Sequence, residues 1–148
     1  MEDEREFLDH LAGDWVLTGT MGDVSLRQHV NAEWTLGKRF LRMYFTSIVE
    51  DDNPTAGYEA VYHIGYNEQN EVFVMHLLDT TEVPLTCDVG HGHRDGNDVA
   101  FAFKYGETPF INRFSWDPEA GRWTFLQTYQ QDGETHVFAT KEMRRASI

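Results

Sequence analysis

Val24-Ser25-Leu26-Arg27-Gln28-His29-Val30-Asn31-Ala32-Glu33-Trp34-Thr35-Leu36 alternates, for most of its length, between apolar and polar side chains. A period of two belongs to an extended strand, whose successive side chains leave on opposite faces, so one face of this segment meets a core and the other meets water. Gln28 alone interrupts the apolar face. Gly37 and Lys38 turn the chain into 39–49, rich in β-branched and aromatic residues, and Asp51-Asp52-Asn53-Pro54 ends that second strand with turn chemistry. A long hairpin follows from these residues alone.

Working outward, the same grammar repeats. Strands at 57–66 and 71–78 flank Asn67-Glu68-Gln69-Asn70, and strands at 83–91 and 98–104 flank Arg94-Asp95-Gly96-Asn97. Strands at 108–116 and 122–129 flank Asp117-Pro118-Glu119-Ala120-Gly121, and Gln131-Asp132-Gly133 leads into a last strand at 134–144. With 14–20 added, the sum is about ten strands joined by short turns, an up-and-down meander uninterrupted by long helices. So many long strands avoid exposed edges by closing on themselves. The expected fold is therefore all-β, a closed antiparallel up-and-down barrel in a single domain over 1–148. A short N-terminal helix precedes it, in which Phe7, Leu8 and Leu11 recur at helical spacing behind the acidic turn Glu2-Asp3-Glu4, with Gly13 placed to end it.

A chain of 148 residues fits one domain, and its 41% hydrophobic and 14% aromatic content is enough for a sizeable core. The formal net charge of −13 repels polyanions, so nucleic acid and anionic membrane are poor partners. Cys87 is the single cysteine, which excludes an intramolecular disulfide and a cysteine-based zinc site and suits a reducing cytoplasm. The N-terminal residues are acidic where a signal peptide would be basic, and no apolar run approaches the roughly 18 residues of a membrane span. A cytoplasmic location is the expectation.

Leu11-Ala12-Gly13-Asp14-Trp15, after a short helix and opening the first strand, resembles the Gly-X-Trp signature shared by lipocalins, fatty-acid-binding proteins and other calycins. The longer pattern adds Trp34-Thr35-Leu36-Gly37-Lys38-Arg39-Phe40-Leu41, then Tyr62-His63-Ile64-Gly65-Tyr66, then His76-Leu77-Leu78-Asp79. It is similar to the uncharacterised bacterial family called domain of unknown function 1579. The resemblance implies a calycin barrel in which Trp15 plugs one end and a cation of the last strand, Arg144 or Lys141, packs across it. Nitrobindin-like haem proteins are another ten-stranded calycin group, marked by Gly-X-Trp-X-Gly-X-Gly and an axial histidine near the C-terminus. Here the run is Gly13-Asp14-Trp15-Val16-Leu17-Thr18-Gly19, which lacks the first intermediate glycine, and His136 is the candidate ligand.

For a ligand, the residues of interest are polar groups set among apolar ones, because most small-molecule sites are apolar walls carrying a few fixed hydrogen-bonding groups. Arg42 shares parity with Phe40, Tyr44 and Ile48, and Arg113 stands between Phe110-Ile111 and Phe114. Turned inward, either guanidinium would need an anionic partner; turned outward, its stem would lie along apolar surface. His76 sits in a strand apolar on both faces, as a ligand contact or proton-transfer group, or as a hydrogen-bonded core histidine. Gln28 interrupts its apolar face, and Gln127 shares parity with Trp123, Phe125 and Tyr129. His63 reads as an outer-face residue beside a carboxylate, and His91-Gly92-His93, despite its chelator look, as a solvated turn. No nucleophile has an adjacent base in a recognisable motif and no phosphate loop is present, so no catalytic residue is assigned.

The expected function is binding of a small hydrophobic or amphipathic molecule inside the barrel, contacted by Arg42, Tyr44, His76, Arg113, Gln127 and Tyr129, with Trp15 and Arg144 at the barrel end. No cofactor or metal is expected on that reading. The alternatives are a haem protein with His136 as axial ligand, and a barrel isomerase or hydrolase with His76 as acid or base. An exposed apolar face would also serve a homodimer.

Overall fold

The computed structural model describes residues 2–48, 57–80, 89–105 and 108–146. Asp3 caps a short helix, α1 (Glu4–Asp9): its side chain accepts from the Glu6 amide at 2.8 Å, and the Glu6 carboxylate accepts from the Asp3 amide at 3.3 Å. This reciprocal box satisfies donors that a helix start leaves unpaired. The helix stops at His10, short of Gly13, whose φ of 127° instead turns the chain directly into the first strand.

That strand is β1 (Gly13–Met21), followed by β2 (Val24–Thr35), β3 (Phe40–Ser47), β4 (Glu59–Asn67) and β5 (Val72–Asp79). The second half comprises β6 (Gly90–Gly92), β7 (Arg94–Asp95), β8 (Asp98–Tyr105), β9 (Thr108–Asp117), β10 (Arg122–Gln131) and β11 (Glu134–Arg145). All pairings are antiparallel. β1 bonds both β2 and β11, and β6 bonds both β5 and, through His91 opposite Ala102, β8. The ring is thereby closed, giving the expected all-β barrel of ten strands with β7 as a two-residue extra strand on β8. Of the strand expected at 83–91, residues 83–88, Cys87 included, lie outside the described residues.

One end of the barrel is packed solid. Phe7, Leu8 and Leu11 of α1 and its exit belong to one buried cluster with Trp15, Ile64, Phe73, Trp123 and Met143, and the Phe7 ring stands edge-on to Trp123 at 5.5 Å. Both indoles spend their one donor on the helix end: Trp15 Nε1 donates to the Leu11 carbonyl at 2.8 Å and Trp123 Nε1 to the His10 carbonyl at 3.1 Å. Arg94 ties α1 down by bonding Glu4 at 2.9 Å and the Glu2 carbonyl at 3.0 Å, with its guanidinium 5.0 Å above the Phe7 ring.

The cation that packs across Trp15 is Arg145, which corrects the assignment to Arg144 or Lys141. Its guanidinium lies 4.0 Å from the indole centroid and donates to the Ala12 carbonyl at 2.6 Å. The register decides it, because Arg145 is the direct partner of Trp15. Arg144 points the other way, to Glu142, and Lys141 lies two inward rows further up the barrel. A Cβ on Gly13 would stand 2.1 Å from Arg145 Nη1, so the glycine supplies room as well as its positive φ.

Candidate ligand site inside the barrel

Above the plug a few polar side chains enter the otherwise apolar inward rows. Gln28, Asn112 and Gln127 are 2%, 1% and 5% exposed, and they are the buried polar side chains among the described residues. Strand parity places each inside: Gln28 lies between Leu26 and Val30 on β2, Asn112 one inward position before Phe114 on β9, and Gln127 one after Phe125 on β10. Asn112 and Gln127 face each other across the β9–β10 register, with Phe101 on the other side of Asn112. None of the three amides hydrogen-bonds another described side chain, and Asn112 Oδ1 is fully buried without a partner. Such a group costs roughly 1–3 kcal/mol unless something else meets it.

The same interior holds a cation. Lys141 occupies the inward row of β11 between Ala139 and Met143, both buried, and pairs with Gly19 on one side and Phe125 on the other. A Cβ on Gly19 would come within 3.1 Å of Lys141 Cγ and 2.2 Å of the Thr140 carbonyl oxygen. β1 thus carries no side chain where the β11 backbone at Thr140 and Lys141 comes close. Burial pushes the Lys141 amine down to about 8, and the nearby Asp79 carboxylate counters only part of that shift. Asp79 is on the inward row of β5 and accepts a hydrogen bond from the Tyr58 hydroxyl at 3.1 Å.

The expected contacts divide by face. Gln127 is inside. Tyr129 and His136 pair at the far end of the β10–β11 hairpin, their rings stacked 5.3 Å apart. Arg42, Tyr44, His76 and Arg113, by contrast, lie on the outer surface, which corrects their inward reading. On β3 the buried row is Leu41, Met43 and Phe45, so Arg42 turns out to Glu33 at 2.7 Å and Tyr44 to Glu59, whose hydrogen bond raises the phenol above its ordinary value. On β5 the row is Phe73 and Met75, leaving His76 exposed against the edge of Phe40. Arg113 is exposed for the same reason: its neighbours Asn112 and Phe114 own the interior. An interior arginine would have needed an anion that neither strand supplies.

His63 is on the outer face as expected, but its strand partners are Arg42 and His76 rather than a carboxylate; desolvation, then these two neighbours, lower its pKa. His91 and His93 are exposed, and the described residues contain no group of three metal-ligating side chains. His136 Nε2 lies 3.9 Å from Glu134, and Tyr129 covers the ring face.

The sequence reading passed over Asn112 and Asp79 and considered Lys141 only as a cap for Trp15. Asn112 was findable, since Phe110, Phe114 and Trp116 share its parity. Lys141 was harder, because a register shift beside Gln127 and Thr128 breaks the alternation on the partner strand and leaves Val137 and Phe138 both exposed. No protein-family model matches the chain, and no curated protein matches it. No helix among the described residues is long and apolar enough to cross a membrane.

Proposed function

We propose that this calycin-like barrel binds a small, largely apolar molecule with a polar head group in its interior, without covalent chemistry. The observation that carries the reading is the fully buried Asn112 Oδ1, which has no partner among the described residues, beside the inward amides of Gln28 and Gln127 on a mostly apolar wall. Proteins rarely leave such an acceptor unmet, and a hydrogen-bond donor on a bound molecule meets it while the apolar part lies along the aromatic interior. The likeness of Trp34–Leu41 and Tyr62–Tyr66 to the uncharacterised bacterial family belongs to the same proposal, as does a cytoplasmic location.

The test is a native mass spectrum of freshly purified protein beside its denatured mass and an absorption scan. The expected result is extra mass that denaturation releases, without a visible band. A Soret band would replace this reading with the haem alternative. Bare protein that also takes up no amphipathic additive would overturn the reading.

A further inference from the structure

We infer that Lys141 is a nucleophilic amine that captures apolar aldehydes inside the barrel as a reversible imine. The step is a further activity, beyond the noncovalent binding proposed above, and it rests on that reading in one respect, the entry of an apolar molecule into the interior.

Position carries it. Lys141 stands on the inward row of β11 between the buried Ala139 and Met143, and its strand partners are Gly19, which has no side chain, and the buried Phe125. It makes no ion pair or hydrogen bond with a described residue, so no carboxylate holds the side chain as a fixed ammonium. The other lysines of the chain, Lys38 in the turn before β3 and Lys104 on β8, are exposed. A second observation lies on the same wall. Asn112, 1% exposed and with its Oδ1 unpartnered, is opposite Gln127, which is opposite Ala139, the inward position next to Lys141. An imine forms through a carbinolamine, whose new hydroxyl is a hydrogen-bond donor, the kind of group that a buried carbonyl oxygen lacks.

The chemistry balances within the two partners. The nitrogen lone pair attacks the aldehyde carbon, and one amine hydrogen passes to the carbonyl oxygen, giving the carbinolamine; expulsion of that oxygen as water, with the second amine hydrogen, leaves the C=N bond. No oxidant or reductant takes part. Attack needs the neutral amine, and an apolar setting supplies it by disfavouring the ammonium. Burial brings Lys141 down to about 8, so about a tenth of it is unprotonated at pH 7, against less than about 0.1% of an ordinary lysine. Asp79, bonded to Tyr58 on the opposite side of the ring of strands, is the charged group that counters the shift, while the flanking Gly19 and Phe125 do not titrate.

The experiment is incubation of the purified chain with decanal at pH 7, trapping of imines with sodium cyanoborohydride, and location of the decyl groups by peptide mass mapping. Decan-1-ol, which cannot form an imine, serves as competitor and as a noncovalent probe in the native mass spectrum. Lys141 is expected to be labelled at least about tenfold faster than Lys38 and Lys104, and decan-1-ol should slow labelling of Lys141 alone. Lys141→Met should lose the fast adduct while its circular dichroism stays that of the folded barrel, and Lys141→Arg, which keeps the long stem and the charge, should do the same if the methionine variant misfolds. Equal labelling of the three lysines, labelling of Lys38 and Lys104 only, or labelling of Lys141 that decan-1-ol does not slow would overturn the imine, and bound decan-1-ol would leave the noncovalent reading standing. Neither bound decan-1-ol nor fast labelling of Lys141 would overturn both.

Discussion

At the scale of the residue, Lys141 puts an ammonium where the fold does not welcome one. Its pKa of about 8 in the folded chain lies below its ordinary value of 10.5, so the unfolded chain holds the proton more firmly. The destabilisation is complete below pH 8 and is relieved as pH rises through 8 towards 10.5, where folded protein has already lost its proton. Lys141→Met should therefore stabilise the ligand-free protein at pH 7, by up to about 3 kcal/mol, with the gain fading by pH 10. Urea unfolding of both forms at the two pH values checks this. Arg145 behaves in the opposite sense, because it covers an indole and caps a carbonyl. Arg145→Ala should cost about 1–2 kcal/mol, whereas Arg144→Ala, on a surface pair with Glu142, should stay within about 0.5 kcal/mol; the same denaturation series separates them.

At the scale of the element, the inward row of each strand was legible wherever one face was wholly apolar or nearly so. β2 and β10 were read in the correct sense, Gln28 and Gln127 included, because Leu26, Val30, Trp123 and Phe125 left no competing face. β3 and β5 were not, because large apolar residues occupy both faces. Phe40 and Tyr44 outside looked as core-like as Leu41, Met43 and Phe45 inside, and only the neighbouring strands decide between them. The helix was legible from its spacing, while its early stop at His10 depends on the plug it makes with Trp15 and Trp123. Asp3→Ala removes the capping box and should cost about 1 kcal/mol, and Phe7→Ala, which empties the centre of the plug, about 3–5 kcal/mol. Thermal unfolding of the two variants should preserve that order.

At the scale of the whole molecule, closure was expected from the number of strands, but its location was not, since the seam uses the three-residue β6. Among the described residues, only His91 and Ala102 pair β6 with β8, against long ladders where β1 meets β2 and β10 meets β11. Amide hydrogen exchange should release the β6–β8 seam well before the centres of those ladders. The barrel is plugged by apolar side chains at one end and carries a few polar side chains among the apolar ones in the rows above, and that asymmetry is the central functional claim. Side-chain amide NMR tests it most directly, by following the NH₂ resonances of Gln28, Asn112 and Gln127 while decan-1-ol is added. The account predicts that these three move together and saturate, while Asn31 on the outer surface stays still; shifts confined to Asn31 and other surface amides, with the interior three unmoved, would contradict it.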